Sequence, residues 1–447
     1  MDIIVIGAGP TGSFLSLSLA RRGHAVTVVD RDPGPGPDGT WARSGVMQFR
    51  HPHGLRSQVV DALRAELPDV LGLLATSGGY FAEGALGVRR SVYERVLHGA
   101  LTRESGVTML TDSARDVRPA DDGRLVLLRD GGTSTADLVV NATGRARFLR
   151  ERRSAGLDND TGLAYASREY QMTPEAHGKL ITGARLAWTF PGYFVRIFPH
   201  DNDIISTLFI RRADDHDLLV LRDEDAYEAA TAAVPPVAAV MASGLIRPIS
   251  GVNAGGRMRN IYRGQLSSSG EIETPGVIHV GDAVFSPSPM WGRGIATSLM
   301  QAQALLGLVD AGHDRVTMTR EFDAWCQENM FPWFEDQRRD DAVLPALWDD
   351  SDLTVDGSLP SRIITLAVAE DPQFKELIAQ YMDMRVLPSA LAVAEPAARE
   401  RVAAGWRPPL AEGPDRRELL RLINSRTGRE DSAISDTIPA SPGEGTV

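Results

Sequence analysis

Residues 3–12 read Ile-Ile-Val-Ile-Gly-Ala-Gly-Pro-Thr-Gly, a β-branched run that passes directly into a glycine-rich turn. An amphipathic segment follows over residues 14–22, and a second apolar run covers residues 25–29. β-Branched runs favour strands, and the segment between them has the helical period. This order predicts a βαβ unit in which the glycines lie between the first strand and the helix.

The glycines of this turn have the GxGxxG spacing of a dinucleotide-binding fingerprint. Gly7 permits the tight turn, Gly9 lets the backbone approach a pyrophosphate, and Gly12 lets the helix pack closely on the strand. The phosphates would meet the helix N-terminus at Pro10 and Thr11. Asp30 ends the second strand, where a carboxylate can accept hydrogen bonds from ribose hydroxyls. The alternative, a glycine turn beside a charged strand end, is disfavoured because strand, turn, helix and acid are all in register.

Composition limits the kinds of partner. A chain of 447 residues with 43% apolar residues can bury a core and suits two or three lobes. The net charge of -12 argues against nucleic acid, and the single cysteine, Cys326, against a disulfide framework or a thiolate metal site. No metal is predicted. Because there is neither a signal-peptide pattern nor an apolar run of about 18 residues, we expect a cytoplasmic protein without stable membrane insertion.

The rest of the chain alternates between two lobes. Strands are predicted at residues 108–110, 125–128, 137–141 and 277–280, an aromatic antiparallel sheet within 180–210, and helices at 54–74, 294–308 and through 317–424. Residues 32–39, rich in proline and glycine, are predicted to form a loop, and residues 427–447 a disordered tail. The predicted domains are a discontinuous dinucleotide-binding domain (1–72, 90–166 and 260–312), a substrate domain (73–89 and 167–259), a helical region (313–425) and a tail (426–447).

Two later motifs follow buried strands. Asp137-Leu138-Val139-Val140-Asn141-Ala142-Thr143-Gly144 ends in a small-residue turn, and Gly281-Asp282 follows another strand. Together with the N-terminal fingerprint, they resemble the flavoprotein monooxygenases of the para-hydroxybenzoate hydroxylase fold. The resemblance implies an α/β protein with a Rossmann-like FAD-binding domain, an inserted antiparallel substrate domain and a helical C-terminal region. It also implies FAD as cofactor, with Asp282 at its ribityl chain and Arg43 in contact with it.

A second resemblance is more detailed. Arg43-Ser44-Gly45-Val46-Met47-Gln48, followed by His51 and His53, is similar to the Arg-x-Gly-Val-x-Gln…His-x-His segment of bacterial polyether epoxidases. That family implies oxygen transfer to an alkene, and its pattern also matches Arg90. This chain departs from it at Asn141, where an aspartate is usual, and at Trp291, so the substrate remains open. The predicted cofactor-binding residues are Gly7, Gly9, Pro10, Thr11, Gly12, Asp30, Arg31, Arg43, Gln48, Arg90, Gly144, Asp282, Gly292, Gly294 and Ile295.

The segment Pro287-Ser288-Pro289-Met290-Trp291-Gly292-Arg293-Gly294 is predicted to face the flavin ring. Gly292 and Gly294 would let backbone amides approach the ring, and the following helix would aim its positive end at the N1 and C2 carbonyl region. The alternative is a loop that only caps a helix. Met290, Trp291 and Gly292 are the candidates beside the reacting atoms. No side chain is identified as catalytic.

Substrate contacts are predicted on the aromatic sheet and near the histidines. The candidates are His51, Trp188, Phe190, Tyr193, Arg196 and Phe209, with Arg196 as an anchor for a carboxylate or carbonyl group. Each has a plainer interpretation: sheet core for the aromatic residues, a solvated face for Arg196, and an exposed loop for the histidines.

The predicted reaction is that of a flavin-dependent monooxygenase. Reduced FAD would add O2 at C4a, and the hydroperoxide would epoxidise or hydroxylate a largely apolar small molecule in secondary metabolism. NADPH, NADH or a separate flavin reductase would supply electrons, and a homodimer is left open. The main alternative is a reductase or dehydrogenase of the same fold. A flavin halogenase is disfavoured because the only lysines are Lys179 and Lys375 and residues 186–191 lack a tryptophan pair. A non-catalytic binding protein is disfavoured because Asp30, Arg43 and Asp282 occur together.

Overall fold

The structure, a computed structural model, describes residues 1–43, 45–82, 84–146, 148–149, 156–176, 186–235, 237–238, 244–348 and 357–429. Its strands are β1 (Asp2–Ile6), β2 (Ala25–Asp30), β3 (Tyr80–Ala82), β4 (Ala85–Gly87), β5 (Val107–Thr111), β6 (Ala114–Pro119), β7 (Leu125–Arg129), β8 (Gly132–Ala136), β9 (Leu138–Asn141), β10 (Leu157–Asp160), β11 (Leu163–Met172), β12 (Ala187–Phe190), β13 (Tyr193–Pro199), β14 (Ile204–Arg212), β15 (Ile246–Pro248), β16 (Asn253–Ala254), β17 (Arg259–Tyr262), β18 (Val277–His279) and β19 (Phe285–Ser286). Its α-helices are α1 (Pro10–Arg21), α2 (Ser57–Glu66), α3 (Pro68–Thr76), α4 (Arg90–Leu101), α5 (Glu224–Ala233), α6 (Gly294–Asp310), α7 (Arg315–Asn329), α8 (Phe331–Trp348), α9 (Ser361–Ala367), α10 (Lys375–Met382), α11 (Glu395–Ala403) and α12 (Arg416–Thr427).

A parallel sheet forms the centre of the first lobe. Its strand order is β18-β9-β1-β2-β5, so three separated parts of the chain contribute to one sheet. Strands β1, β9 and β18 are buried and rich in β-branched residues, as the centre of a parallel sheet covered on both faces requires. The α/β class and the discontinuous sheet predicted from the sequence are confirmed, whereas the domain boundaries remain predictions.

One helix prediction needs correction. The apolar pattern over residues 54–74 is two helices, α2 and α3, which meet at Leu67. Pro68 is the first residue of α3, where its missing N–H is tolerated, but inside a continuous helix it would remove a hydrogen bond. The pattern of apolar residues showed the buried face and not this break.

An antiparallel sheet, β12-β13-β14-β11-β15, forms the second lobe. Side chains alternate along β13: Tyr193, Val195 and Ile197 pack in an apolar cluster that includes residues of α5 and α12. Phe194 and Phe198 pack on the other face, in a cluster with Met290 and Trp348. Only this second face is directed toward the residues around Met290.

Helices α7 to α12 make up the C-terminal region, as the pattern over residues 317–424 predicts. The predicted tail lies largely outside the described residues, which end at Arg429. Within the described part of the chain, no helix combines the length and the apolar character needed to cross a membrane.

Candidate functional site

A cleft of about 1450 Å³ opens at the carboxyl ends of the parallel strands. This edge of an open α/β sheet is where ligands generally bind. All the predicted cofactor-binding residues except Gly12 line the cleft: Gly7, Gly9, Pro10, Thr11, Asp30, Arg31, Arg43, Gln48, Arg90, Gly144, Asp282, Gly292, Gly294 and Ile295. Residues scattered through the first 295 positions are therefore brought together along one cavity.

The fold requires glycine at two of the three fingerprint positions, Gly7 and Gly12, but not at Gly9. Gly7 has a φ of +102°, and a Cβ there would lie 2.6 Å from the Ala142 carbonyl oxygen; a Cβ on Gly12 would lie 1.8 Å from the Gly7 carbonyl oxygen. The fold itself excludes side chains at both positions. Gly9 has an ordinary φ of -74°, and a Cβ there would have no atom within 4 Å. No neighbouring protein atom requires glycine at this position, which leaves the space open for a pyrophosphate approaching the start of α1.

Asp30 and Arg43 organise one end of the cleft. The Asp30 carboxylate accepts hydrogen bonds from the backbone N–H groups of Ala8 (2.6 Å) and Asp32 (2.8 Å). Arg43 is buried and donates to Asp30 (3.0 Å), to the Ala8 carbonyl (3.2 Å) and to Glu94. Arg43 therefore ties the glycine turn to β2 and to α4 in addition to lining the cleft.

Asp282 lines the cleft from the short 3₁₀ turn that follows β18. Burial raises the pKa of its carboxyl, while Arg145, Arg90 and Arg263 oppose that shift. Gly144 has a φ of +65°, and a Cβ there would approach Asp282 to 3.9 Å. An acceptor carboxylate between cationic side chains suits a polyhydroxylated chain, whose hydroxyl groups donate hydrogen bonds.

The other end of the cleft is formed by the turn that precedes α6. Pro289–Trp291 make one 3₁₀ turn, Gly292 ends it with a φ of +61°, and α6 begins at Gly294. A Cβ on Gly292 would have no atom within 4 Å, because this residue faces the open cleft. The N-terminus of α6 contributes Gly294, Ile295 and Ser298 to the lining and so presents the positive end of the helix dipole to the cavity.

The C-terminal helices hold this turn in place. Arg293 donates 2.9 Å hydrogen bonds to Asp336 of α8 and to the Tyr381 hydroxyl of α10. Gln337 donates to the Ser288 carbonyl over 3.1 Å. Sequence reasoning missed these residues because Arg293 and Tyr381 are 88 positions apart and no local pattern relates them.

The two histidines are enclosed by protein. His51 is 6% exposed, its Nδ1 lies 3.0 Å from the Ser167 hydroxyl, and its ring packs against Tyr165. His53 lines the cleft, with its Nε2 3.4 Å from Arg90. Burial lowers the pKa of His51 to about 4; burial, assisted by Arg90, lowers the pKa of His53 to about 3. Both rings are therefore neutral at neutral pH, and the interpretation as exposed loop residues does not hold for His51.

All four aromatic candidates on the antiparallel sheet lie on its far face. Phe190, Tyr193 and Phe209 are fully buried in the cluster with α5 and α12, and Trp188 packs against it. Phe198, on the other face, lines the cleft, and the Arg196 guanidinium lies 4.5 Å from its ring centroid. The alternation along β13 separates these two sets, but it does not reveal which face the helices cover.

Comparison with known proteins agrees with this arrangement. Residues 2–65 match the family model of FAD dependent oxidoreductases. Kynurenine 3-monooxygenase of Salinispora tropica is 24% identical over 354 residues, covering 72% of this chain and 75% of that protein.

Two solved structures share the fold. PqsL, a probable FAD-dependent monooxygenase from Pseudomonas aeruginosa, is 16% identical with a TM-score of 0.58, covering 78% of this chain and 97% of its own. The flavin-dependent brominase Bmp2 is 14% identical with a TM-score of 0.63, covering 90% and 100%. At these identities the two structures establish the fold and do not distinguish oxygenation from halogenation. The fold, the match of residues 2–65 to FAD dependent oxidoreductases and the similarity to a monooxygenase together support an FAD-dependent monooxygenase with the para-hydroxybenzoate hydroxylase fold.

Proposed function

We propose that the chain inserts one atom of O2 into a largely apolar small molecule, by hydroxylating an electron-rich ring or epoxidising an alkene. The observation that carries this proposal is the continuity of the cleft. One cavity includes Gly9 and Asp30 at one end and Gly292, Pro289 and Phe198 at the other. A cofactor as long as FAD can therefore extend from the fingerprint to an apolar compartment.

The division of work in this proposal follows from the residues present. Bound FAD supplies the redox chemistry and the activation of oxygen. Gly9 and Asp30 would hold the nucleotide, Asp282 the polyhydroxylated chain, and Gly292 with the N-terminus of α6 the ring. Phe198, Pro287 and Pro289 make the far end of the cleft apolar, which excludes water from the reacting atoms.

The polar side chains near the apolar end of the cleft do not change protonation around neutral pH. The Tyr165 hydroxyl accepts a hydrogen bond from Gln48 over 3.2 Å, and burial raises its pKa to about 12. Tyr165 stays protonated and His53 stays neutral at neutral pH. Neither is required to move a proton in the reaction proposed here.

Arg196 remains our proposed anchor for a carboxylate or carbonyl group of the substrate. Within the described part of the chain its guanidinium packs on Phe198 and has no carboxylate in ion-pair contact. Burial, with repulsion from Arg362, lowers its pKa to about 10, so it remains a cation at neutral pH. Kynurenine, in the name of the relative, has an aromatic ring and a carboxylate, and this combination would suit Phe198 beside Arg196.

Hydroxylation and epoxidation are supported by different observations. The monooxygenase relative acts on a compound with an aromatic ring, which favours ring hydroxylation. The resemblance of residues 43–53 to polyether epoxidases favours alkene epoxidation. Halogenation has little support beyond the shared fold, because Lys375 is exposed at the start of α10 and residues 186–191 lack a tryptophan pair. Lys179 lies outside the described residues.

A spectrum and a labelling experiment test the proposal. The purified protein should show flavin absorbance and release FAD on denaturation; anaerobic titration with NADPH, NADH and a flavin reductase system identifies the electron donor. Turnover of L-kynurenine, a short-chain quinol and styrene under labelled O2, with bromide present, should add one labelled oxygen to at least one compound. A brominated product, or a protein that binds no FAD, would contradict the proposal.

A further inference from the structure

Arg56 joins the flavin-facing turn to two other parts of the chain. It is the residue directly before α2, and its Nε donates to the Gly292 carbonyl over 3.3 Å. Its Nη2 donates to the Trp291 carbonyl, and its Nη1 to the carbonyl of Met382 at the end of α10. One planar guanidinium therefore fixes two successive carbonyl groups of the turn, a geometry that lysine cannot reproduce.

No carboxylate in the described part of the chain forms an ion pair with Arg56, although the charge of Asp383 acts on it from nearby. Within the described residues its guanidinium has only backbone carbonyl partners, and the nearby Asp383 pairs with Arg385 at 3.1 Å. Burial, together with the positive charges of Arg293 and Arg196, lowers the pKa of Arg56 to about 9. The group remains protonated at neutral pH. A partly buried cation without a carboxylate partner costs stability, and charged groups in such surroundings cluster at functional sites.

The peptide geometry shows on which side that anion would lie. In a trans peptide the carbonyl and the N–H point in opposite directions. Since the Gly292 carbonyl is directed at Arg56, the N–H of Arg293 points away from Arg56. The next N–H groups belong to the first turn of α6, and the N–H groups of a first turn have no acceptor within their own helix. Gly292, Gly294 and Ile295 line the cleft, so an anion on this side would meet these N–H groups.

We propose that Arg56 is a positioning residue of the flavin site: it holds the Trp291–Gly292 turn and supplies, behind that turn, the charge that stabilises the reduced, negatively charged flavin ring. The inference rests on the proposed binding of FAD in this cleft. Oxidised flavin is neutral and becomes the reduced anion by taking up two electrons and one proton. A fixed cation stabilises the charged product more than the neutral reactant, so Arg56 raises the reduction potential of the bound flavin.

Three variants separate charge from geometry. Arg56→Met removes the charge and keeps the apolar stem, Arg56→Lys keeps the charge without the planar fork, and Arg64→Met on the exposed face of α2 is the matched control. We expect Arg56→Met to weaken the preference for reduced flavin about tenfold, a fall of about 30 mV in the two-electron midpoint potential. Arg56→Lys should restore most of that potential, and Arg64→Met should leave it unchanged.

The readouts are the midpoint potential, measured by anaerobic dye-coupled reduction, and the dissociation constant of oxidised FAD, measured by fluorescence quenching. A potential in Arg56→Met equal to that of the wild type would overturn the inference, as would an equal fall in Arg56→Lys. If Arg56→Met does not fold, Arg56→Gln makes the same comparison with one hydrogen bond retained. Wild-type protein without FAD would overturn the proposed function instead, so the two failures are distinguishable.

Discussion

The backbone N–H of Ala8 donates a 2.6 Å hydrogen bond to the carboxylate of Asp30, which joins the glycine turn after β1 to the end of β2. Arg43 approaches the same carboxylate oxygen from the other side, at 3.0 Å. Asp30 is thus part of the frame that shapes the cleft as well as a candidate ligand of the ribose. Substitutions here act on stability and on cofactor affinity together.

We expect Asp30→Asn to lower both the free energy of unfolding and the affinity for FAD. The amide removes the negative charge of the carboxylate that accepts hydrogen bonds from Arg43 and from the Ala8 N–H. Hydrogen bonds to a charged group contribute about 1.5–3 kcal/mol. Urea unfolding of the cofactor-free protein should show a loss of this order, and FAD affinity should fall as well. A variant with wild-type stability and wild-type FAD affinity would show that this carboxylate has neither role.

Gly9→Ala should weaken FAD binding without destabilising the cofactor-free protein. Gly9 has an ordinary φ and open space where a Cβ would lie, so the added methyl group meets only the ligand. We expect the dissociation constant to rise about tenfold, which corresponds to about 1.4 kcal/mol. Gly256→Ala is the control, because Gly256 also has open space around it and does not line the cleft. Equal FAD affinity in the two variants would place the pyrophosphate elsewhere.

Gly292→Val tests whether the turn before α6 faces the reacting end of the flavin. When reduced enzyme is mixed with O2, a closed site delays the release of hydrogen peroxide after oxygen is consumed, since water is kept out. A branched side chain in the cleft should shorten that delay while FAD remains bound through Gly9 and Asp30.

The control for this experiment is Gly312→Val. Gly312 has a similar positive φ, +71°, and equally open surroundings, but it lies beyond α6 and outside the cleft. Both variants carry the backbone strain of a β-branched residue in the left-handed region. A delay shortened equally in both would attribute the effect to strain and not to position.

His51→Asn should change how stability depends on pH. The pKa of His51 is lowered to about 4 by burial, whereas an unfolded histidine titrates near about 6.5. Between these values the unfolded chain binds a proton that the folded chain does not, so the wild type loses stability here as pH falls, by about 1.4 kcal/mol per pH unit. Asparagine does not titrate, so the free energy of unfolding of the variant, relative to that of the wild type, should rise as the pH falls through this window. Urea unfolding at several pH values, with the exposed His216→Asn as control, measures it; a pH-independent difference would contradict the prediction.

The sequence predicted the parts of the site that depend on neighbouring residues. The turn at Gly7, the carboxylate at Asp30 and the glycine at Gly292 each belong to short patterns whose spacing has a direct physical cause. The substrate side was less predictable. Tyr193 and Phe198 lie on the same strand, and alternation places them on opposite faces, but α5 and α12 decide which face is covered. Arg293 and Tyr381 meet only after the C-terminal helices have packed, and no local pattern encodes that contact.

The order of strands in the parallel sheet has a consequence for the making of the protein. β9 pairs with β1 on one side and with β18 on the other, and β18 begins only at Val277. On the ribosome, a nascent chain that ends before this strand has the glycine turn but neither Asp282 nor the turn at Gly292. The partners of Arg56 and Arg293 on α10 emerge later still, at Tyr381 and Met382. Capture of the cofactor in its complete site therefore comes late in synthesis, after the C-terminal helices have left the exit tunnel.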